Sequence, residues 1–118
     1  MEKQEDTNRY FFRGHGYYCS LELAMDIIGG KWKTMMLYYL KDGAQRSSSL
    51  QRCLRGVSNK MFTQTARELE SNGIIKRIIY PVIPPKVEYE LTNIGKTIIP
   101  LIEQMSDWGI SVADKRKD

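Results

Sequence analysis

Apolar residues recur with a helical period over most of the chain and alternate with polar ones only in one late stretch. The first periodic segment runs from about Ser20 to Ile28. Leu21, Ala24, Met25 and Ile28 form one stripe, Ser20 is the expected N-cap, and Leu23 and Ile27 supply a second apolar face. After Gly29-Gly30 a second helix, about Lys31 to Lys41, carries Trp32, Met35, Met36, Tyr39 and Leu40 on one side and stops at Gly43. The segment "RSSSLQRCLRG" predicts a short third helix with Ser48 and Gln51 as a capping box and Leu50 and Leu54 inward, Cys53 beside them. A tight Gly-containing turn leads to Ser58, the N-cap of a fourth helix, "NKMFTQTARELES", closed by Gly73. Phe62, Ala66 and Leu69 are its inward stripe, flanked by Met61 and Thr65.

The alternating stretch is "IIKRIIYPVIPPKVEYELT", Ile74 to Thr92. It predicts a hairpin whose proline-stiffened turn is flanked by Arg77 and Lys86, with Val87, Tyr89 and Leu91 inward and Glu88 and Glu90 outward. Thr92 then caps a final helix carrying Ile94, Ile98, Leu101, Ile102, Met105 and Trp108 in register, interrupted at Pro100. This helix is more apolar than a monomer's surface allows, so a second subunit is expected to cover part of it. The first 17 residues lack an apolar period and read as a flexible arm; residues 18–114 form the domain, 92–114 its dimerisation helix, and 115–118 a charged tail.

The chain is mainly α with a small β-hairpin, and its order of elements is that of a winged helix-turn-helix. Its function turns on the outward face of the fourth helix, where Asn59, Lys60, Thr63, Gln64 and Arg67 lie. Such a face is either ordinary solvated surface or a base reader. A DNA major groove, about 12 Å wide, admits one helix, and these side chains offer the donors that base edges require. The hairpin beside that helix favours the second reading, because a two-stranded ribbon must lean on the helices and would project past them as a wing. Arg46, Ser48, Ser49, Arg52, Arg77 and Lys86 are the candidates for holding the DNA backbone, the start of the third helix offering amides and hydroxyls to a phosphate.

Charge agrees in its distribution more than in its sum. The formal net charge is +4, but residues 46 to 96 hold nine Lys/Arg against four Glu. That excess fits a solvated surface or a face for a polyanion. No apolar run approaches the roughly 18 residues of a membrane span, and the acidic start "MEKQEDTNRYFF" is unlike an export signal. A cytoplasmic location is expected. Cys19 and Cys53 fit neither a zinc site nor a disulfide scaffold. His15, the single histidine, lies between glycines and is expected in an exposed loop; Trp32 and Trp108 suit core or interface. No phosphate loop, metal cluster or nucleophile motif is present, so neither an enzyme nor a cofactor is expected.

Four segments carry a resemblance: "IIGGKWK" (Ile27 to Lys33), "RELESNGII" (Arg67 to Ile75), "PPKVEYELT" (Pro84 to Thr92) and "DWG" (Asp107 to Gly109). Together they resemble the HxlR-type helix-turn-helix regulators, bacterial winged-helix proteins related to the MarR group, over about residues 18 to 112. The resemblance implies a homodimeric transcription factor, joined through its first and last helices, on double-stranded DNA at pseudo-palindromic operators. It also implies that Cys19 stands where the family commonly has a cysteine, which some members use to sense oxidants or electrophiles. Cys19 precedes the first helix and is either such a thiol or a small buried residue; Cys53 suits the core or a Cys19–Cys53 bridge between subunits. The chain departs from the family's usual pattern at Ser20, at Ser47 and in the wing tip "PVIPP". A winged helix used only for protein–protein assembly, without sequence-specific DNA binding, is the alternative from another class.

Overall fold

A computed structural model describes residues 8–114. The elements are β1 (Tyr10–Phe12), β2 (His15–Tyr17), α1 (Ser20–Ile28), α2 (Lys31–Tyr39), β3 (Gln45–Arg46), α3 (Ser47–Cys53), α4 (Asn59–Ser71), β4 (Ile75–Tyr80), β5 (Lys86–Leu91), α5 (Asn93–Lys96) and α6 (Ile99–Val112). The winged helix-turn-helix reading stands. α2, α3 and α4 enclose one core with the three-stranded antiparallel sheet β3-β5-β4.

Met36, Leu37, Leu40, Leu50, Leu54 and Leu69 are fully or almost fully buried, joined by Phe62, Ala66, Ile75, Tyr89 and Leu91. Leu37 lies outside the expected stripe of α2. It is buried because α2 is central, packed against α3, α4 and α6, so one stripe does not describe it. The turn between α3 and α4 is set by Gly56 at φ 88°, a left-handed conformation that costs other residues energy, and by Val57 donating to the Leu54 carbonyl at 3.0 Å. Ser58 caps α4 as expected, its hydroxyl accepting the Met61 amide at 3.0 Å.

Several expectations are corrected. The arm of residues 1–17 is not without structure: β1 and β2 pair antiparallel across Arg13-Gly14, both at positive φ, the two-residue turn that matches strand twist. Tyr17 anchors the hairpin, buried and donating its hydroxyl to Asp26 Oδ2 at 2.9 Å. His15 is accordingly a strand residue, exposed and edge-on to Tyr17. Residues 1–7 of that arm and the tail 115–118 lie outside the described residues.

Cys19, not Ser20, occupies the N-cap of α1, with no side-chain cap bond. The Ser48–Gln51 capping box does not form. α3 starts two residues earlier than a Ser48 cap requires, at Ser47 with Arg46 as its N-cap, and Gln51 instead donates to Asn59 Oδ1 at 2.5 Å. The final helix is two helices. Thr92 caps α5 through the Gly95 amide at 3.1 Å, and Pro100 falls in the first turn of α6, where its missing N–H is harmless. Gly95 sits so close to β4 that a Cβ there would meet the Ile74 carbonyl oxygen.

The apolar stripes of α1 and α6 are largely uncovered. Only Ile28 of α1 and Ile102 of α6 are buried, whereas Leu21, Met25, Leu101, Met105, Trp108 and Ile110 are each about half exposed or more. Among the described residues no helix is long and apolar enough to cross a membrane.

Candidate nucleic-acid interface

Amphipathic packing of α4 divides its residues cleanly. Phe62, Thr65, Ala66 and Leu69 are buried, so Asn59, Lys60, Thr63, Gln64 and Arg67 all face solvent. The wing is held against α4 by Tyr89, whose ring stands edge-on to Phe62 at 6.3 Å between centroids. Between them opens a groove of about 690 Å³. Arg46, Ser48, Asn59, Thr63, Arg67, Arg77 and Lys86 line it, and Glu70 is its one acid.

Strand register sorts the wing's cations. Ile75↔Leu91, Arg77↔Tyr89 and Ile79↔Val87 are paired positions on the face that packs inward, as the burial of Ile75, Tyr89 and Leu91 shows. Arg77 therefore stands mid-strand in the groove rather than near the tip, with its guanidinium beside the Tyr89 hydroxyl. Burial pushes the Tyr89 hydroxyl above its ordinary pKa, and Arg77 partly opposes that shift. Lys76↔Glu90 and Tyr80↔Lys86 lie on the other face. Lys76 pairs with Glu90 at 3.7 Å, and Lys86 with Glu88 at 3.4 Å while lying over the Tyr80 ring at 4.6 Å. Both wing lysines are thus satisfied within the wing.

The remaining predicted residues are placed as follows. Arg46 is exposed at the start of α3, and Ser49 accepts from Arg52 Nη2 at 3.3 Å, so those two residues partner each other. Lys60 is exposed but outside the groove. Gln64 donates Nε2 to Glu68 Oε2 at 3.1 Å, and Lys33 of α2 holds the same carboxylate at 3.0 Å. Those bonds, Lys33 first and Gln64 second, keep the Glu68 carboxyl below the usual range. Sequence reasoning did not select Gln51, Glu68 or Lys33, which orient Asn59 and Gln64. The i,i+4 spacing of Gln64 and Glu68 was a visible signal, but Lys33 is 35 positions away from Glu68 and only the packing of α2 on α4 joins them.

Cys19 is exposed and Cys53 partly buried at the end of α3. Among the described residues no cluster of three or more His, Cys, Asp or Glu could hold a metal ion.

A short helix, a glycine turn, a polar-faced second helix and a wing beside it define a winged helix-turn-helix regulator. The chain belongs to the HxlR-like helix-turn-helix family, which matches residues 27–117. It is 48% identical over 93 residues to an HTH-type transcriptional regulator of Methanothermobacter thermautotrophicus, covering 79% of this chain and 71% of that protein. Its fold is similar to the redox regulator HypR, solved in its oxidized form, at 42% identity and TM-score 0.78, covering 82% of this chain and all of that one. It is also similar to diamide-treated YodB from B. subtilis, at 28% identity and TM-score 0.65 over 81% and 95% of the two chains. The chain is accordingly a transcriptional regulator of the helix-turn-helix type, and the family implies DNA binding.

Proposed function

We propose that this protein is a sequence-specific regulator that binds a pseudo-palindromic operator as a homodimer, α4 lying in the major groove. The observation that carries this is the groove between α4 and the wing, where Arg46, Arg67 and Arg77 have no ion-pair partner among the described residues. Arginine in that setting suits phosphate and guanine alike. Asn59, Lys60, Thr63, Gln64 and Arg67 read bases, and Arg46, Ser48, Ser49, Arg52 and Arg77 contact the backbone, with Lys86 a weaker backbone contact because Glu88 already holds it. The exposed apolar residues of α1 and α6 meet their symmetry mates and set two α4 helices about one DNA turn, roughly 34 Å, apart.

The regulator responds to oxidants through Cys19. Support comes from its exposure at the N-cap of α1 and from the similarity to HypR, a redox regulator, and to YodB, which was solved after diamide treatment. An oxidant such as diamide takes two electrons and two protons from the thiols of Cys19 and Cys53 of the second subunit, leaving one disulfide. That bond needs the two Cα atoms within about 7 Å and shifts the spacing of the paired α4 helices.

The test is binding of the full-length protein to DNA upstream of its own gene and to random duplex, across a salt series. Tight upstream binding with a steep salt slope is expected; indifference to sequence and salt would favour a protein-assembly module instead. Diamide should change operator affinity for the wild type and leave Cys19→Ser unaffected. An identical response of the two proteins would make Cys19 structural.

A further inference from the structure

The tip of the wing has a chemistry that backbone holding does not use. Pro81, Val82, Ile83, Pro84 and Pro85 join β4 to β5 without a charge. Ile83 is 100% exposed and Val82 51%, with Ile79 just behind at 58%. The nearest cations are already engaged, Lys86 by Glu88 and the Tyr80 ring, Lys76 by Glu90. Three prolines fix backbone φ at the tip, so little chain entropy remains to be lost when it docks.

We propose that this tip is an apolar reader of the minor groove, seating Ile83 against its floor at A·T pairs that flank each half-site. The inference rests on the operator-binding reading above. Reach supports it. Tyr89 packs on Phe62 of α4, the ribbon ends three residues further along at Lys86, and Ile83 lies three residues beyond that in the turn. At about 3.3 Å per residue that extends up to about 20 Å. Half a turn of B-DNA, the offset from a major groove to the next minor groove, is about 17 Å. Pro85 and Lys86 line the cationic groove, so the tip continues the same surface. Chemistry sets the preference. G·C places the guanine N2 amino donor on the groove floor, and an apolar side chain would bury that donor without an acceptor; A·T has no such donor.

The full-length protein would first select an operator from random-sequence DNA. Affinity would then be measured on two duplexes with that core, one with A·T and one with G·C at the flanking steps. Wild type should prefer A·T on the order of fivefold, the lower end of what one wrong base pair costs. Ile83→Ser should lose that preference while keeping core recognition and salt slope, since no charge changes. Ile83→Arg should instead raise affinity for every sequence and steepen the slope. Equal wild-type affinity for both flanks, or a preference that survives in Ile83→Ser, would overturn the inference while operator binding stands. A wild type that selects no core at all would overturn the operator reading and this inference together.

Discussion

Arg77 and Lys86 look alike in the sequence, yet the structure predicts that their removal has different consequences for DNA binding. Arg77 stands in the groove beside Tyr89, exposed and without an ion-pair partner among the described residues, whereas Lys86 is paired with Glu88 at 3.4 Å. In the proposed dimer on DNA, Arg77→Ala would remove two phosphate contacts. At about 0.9 per neutralised phosphate, the slope of log affinity against log salt should become shallower by about 1.8. Between 50 and 200 mM salt, a fourfold change, the wild-type advantage should therefore shrink about twelvefold. Lys86→Ala should alter the slope by less than half as much, because that ammonium is already largely neutralised within the wing. Fluorescence anisotropy of a labelled operator duplex across that salt range measures both. Arg77 is exposed, so its loss should move stability by no more than about 0.5 kcal/mol, and a thermal melt controls for folding. An unchanged slope for Arg77→Ala, or a larger change for Lys86→Ala, would refute the reading that Glu88 holds Lys86 while Arg77 is free to meet a phosphate.

Three further outcomes are expected. Gln64→Ala or Arg67→Ala should each cost about 1–3 kcal/mol on the operator and relax preference at one base pair; equal losses on random DNA would mean that they touch only phosphate. Leu101→Asp puts a charge into the exposed apolar face of α6 and should turn the proposed dimer into a monomer in sedimentation at micromolar concentration, while a wild type that is itself monomeric there would remove the dimer from the mechanism. Gly95→Ala drives a methyl into the Ile74 carbonyl and should cost about 1–3 kcal/mol, lowering the melting temperature by several degrees; an unchanged melt would show that α5 moves away without penalty.

What was legible in the sequence was local. The Ser58 and Thr92 caps, the stripe of Phe62, Ala66 and Leu69, and the inward set of Tyr89 and Leu91 each depend on contacts or periods within a few residues. Those signals sufficed for the order of elements, and hence for the winged helix-turn-helix and its exposed face on α4. Even local reading failed where the element was short: β1, β2 and β3 have three, three and two residues, too few for alternation to declare itself. The turn joining β1 to β2 holds Arg13 at positive φ, a conformation that arginine does not announce in a sequence as Asn-Gly or Asp-Gly would.

Tertiary structure decided which candidate side chains are free. Antiparallel register brings Glu90 opposite Lys76 and sets Lys86 at the wing's mouth, from which its ammonium reaches Glu88; packing of α2 on α4 brings Lys33 to Glu68 and so fixes Gln64. Composition counts all of these as charges of one region. Lys86 and Glu88 lie two positions apart on one strand face and pair locally, but only strand pairing and helix packing, which join residues 14 and 35 positions apart, bring Lys76 to Glu90 and Lys33 to Glu68, while Arg46, Arg67 and Arg77 are left without an ion-pair partner among the described residues.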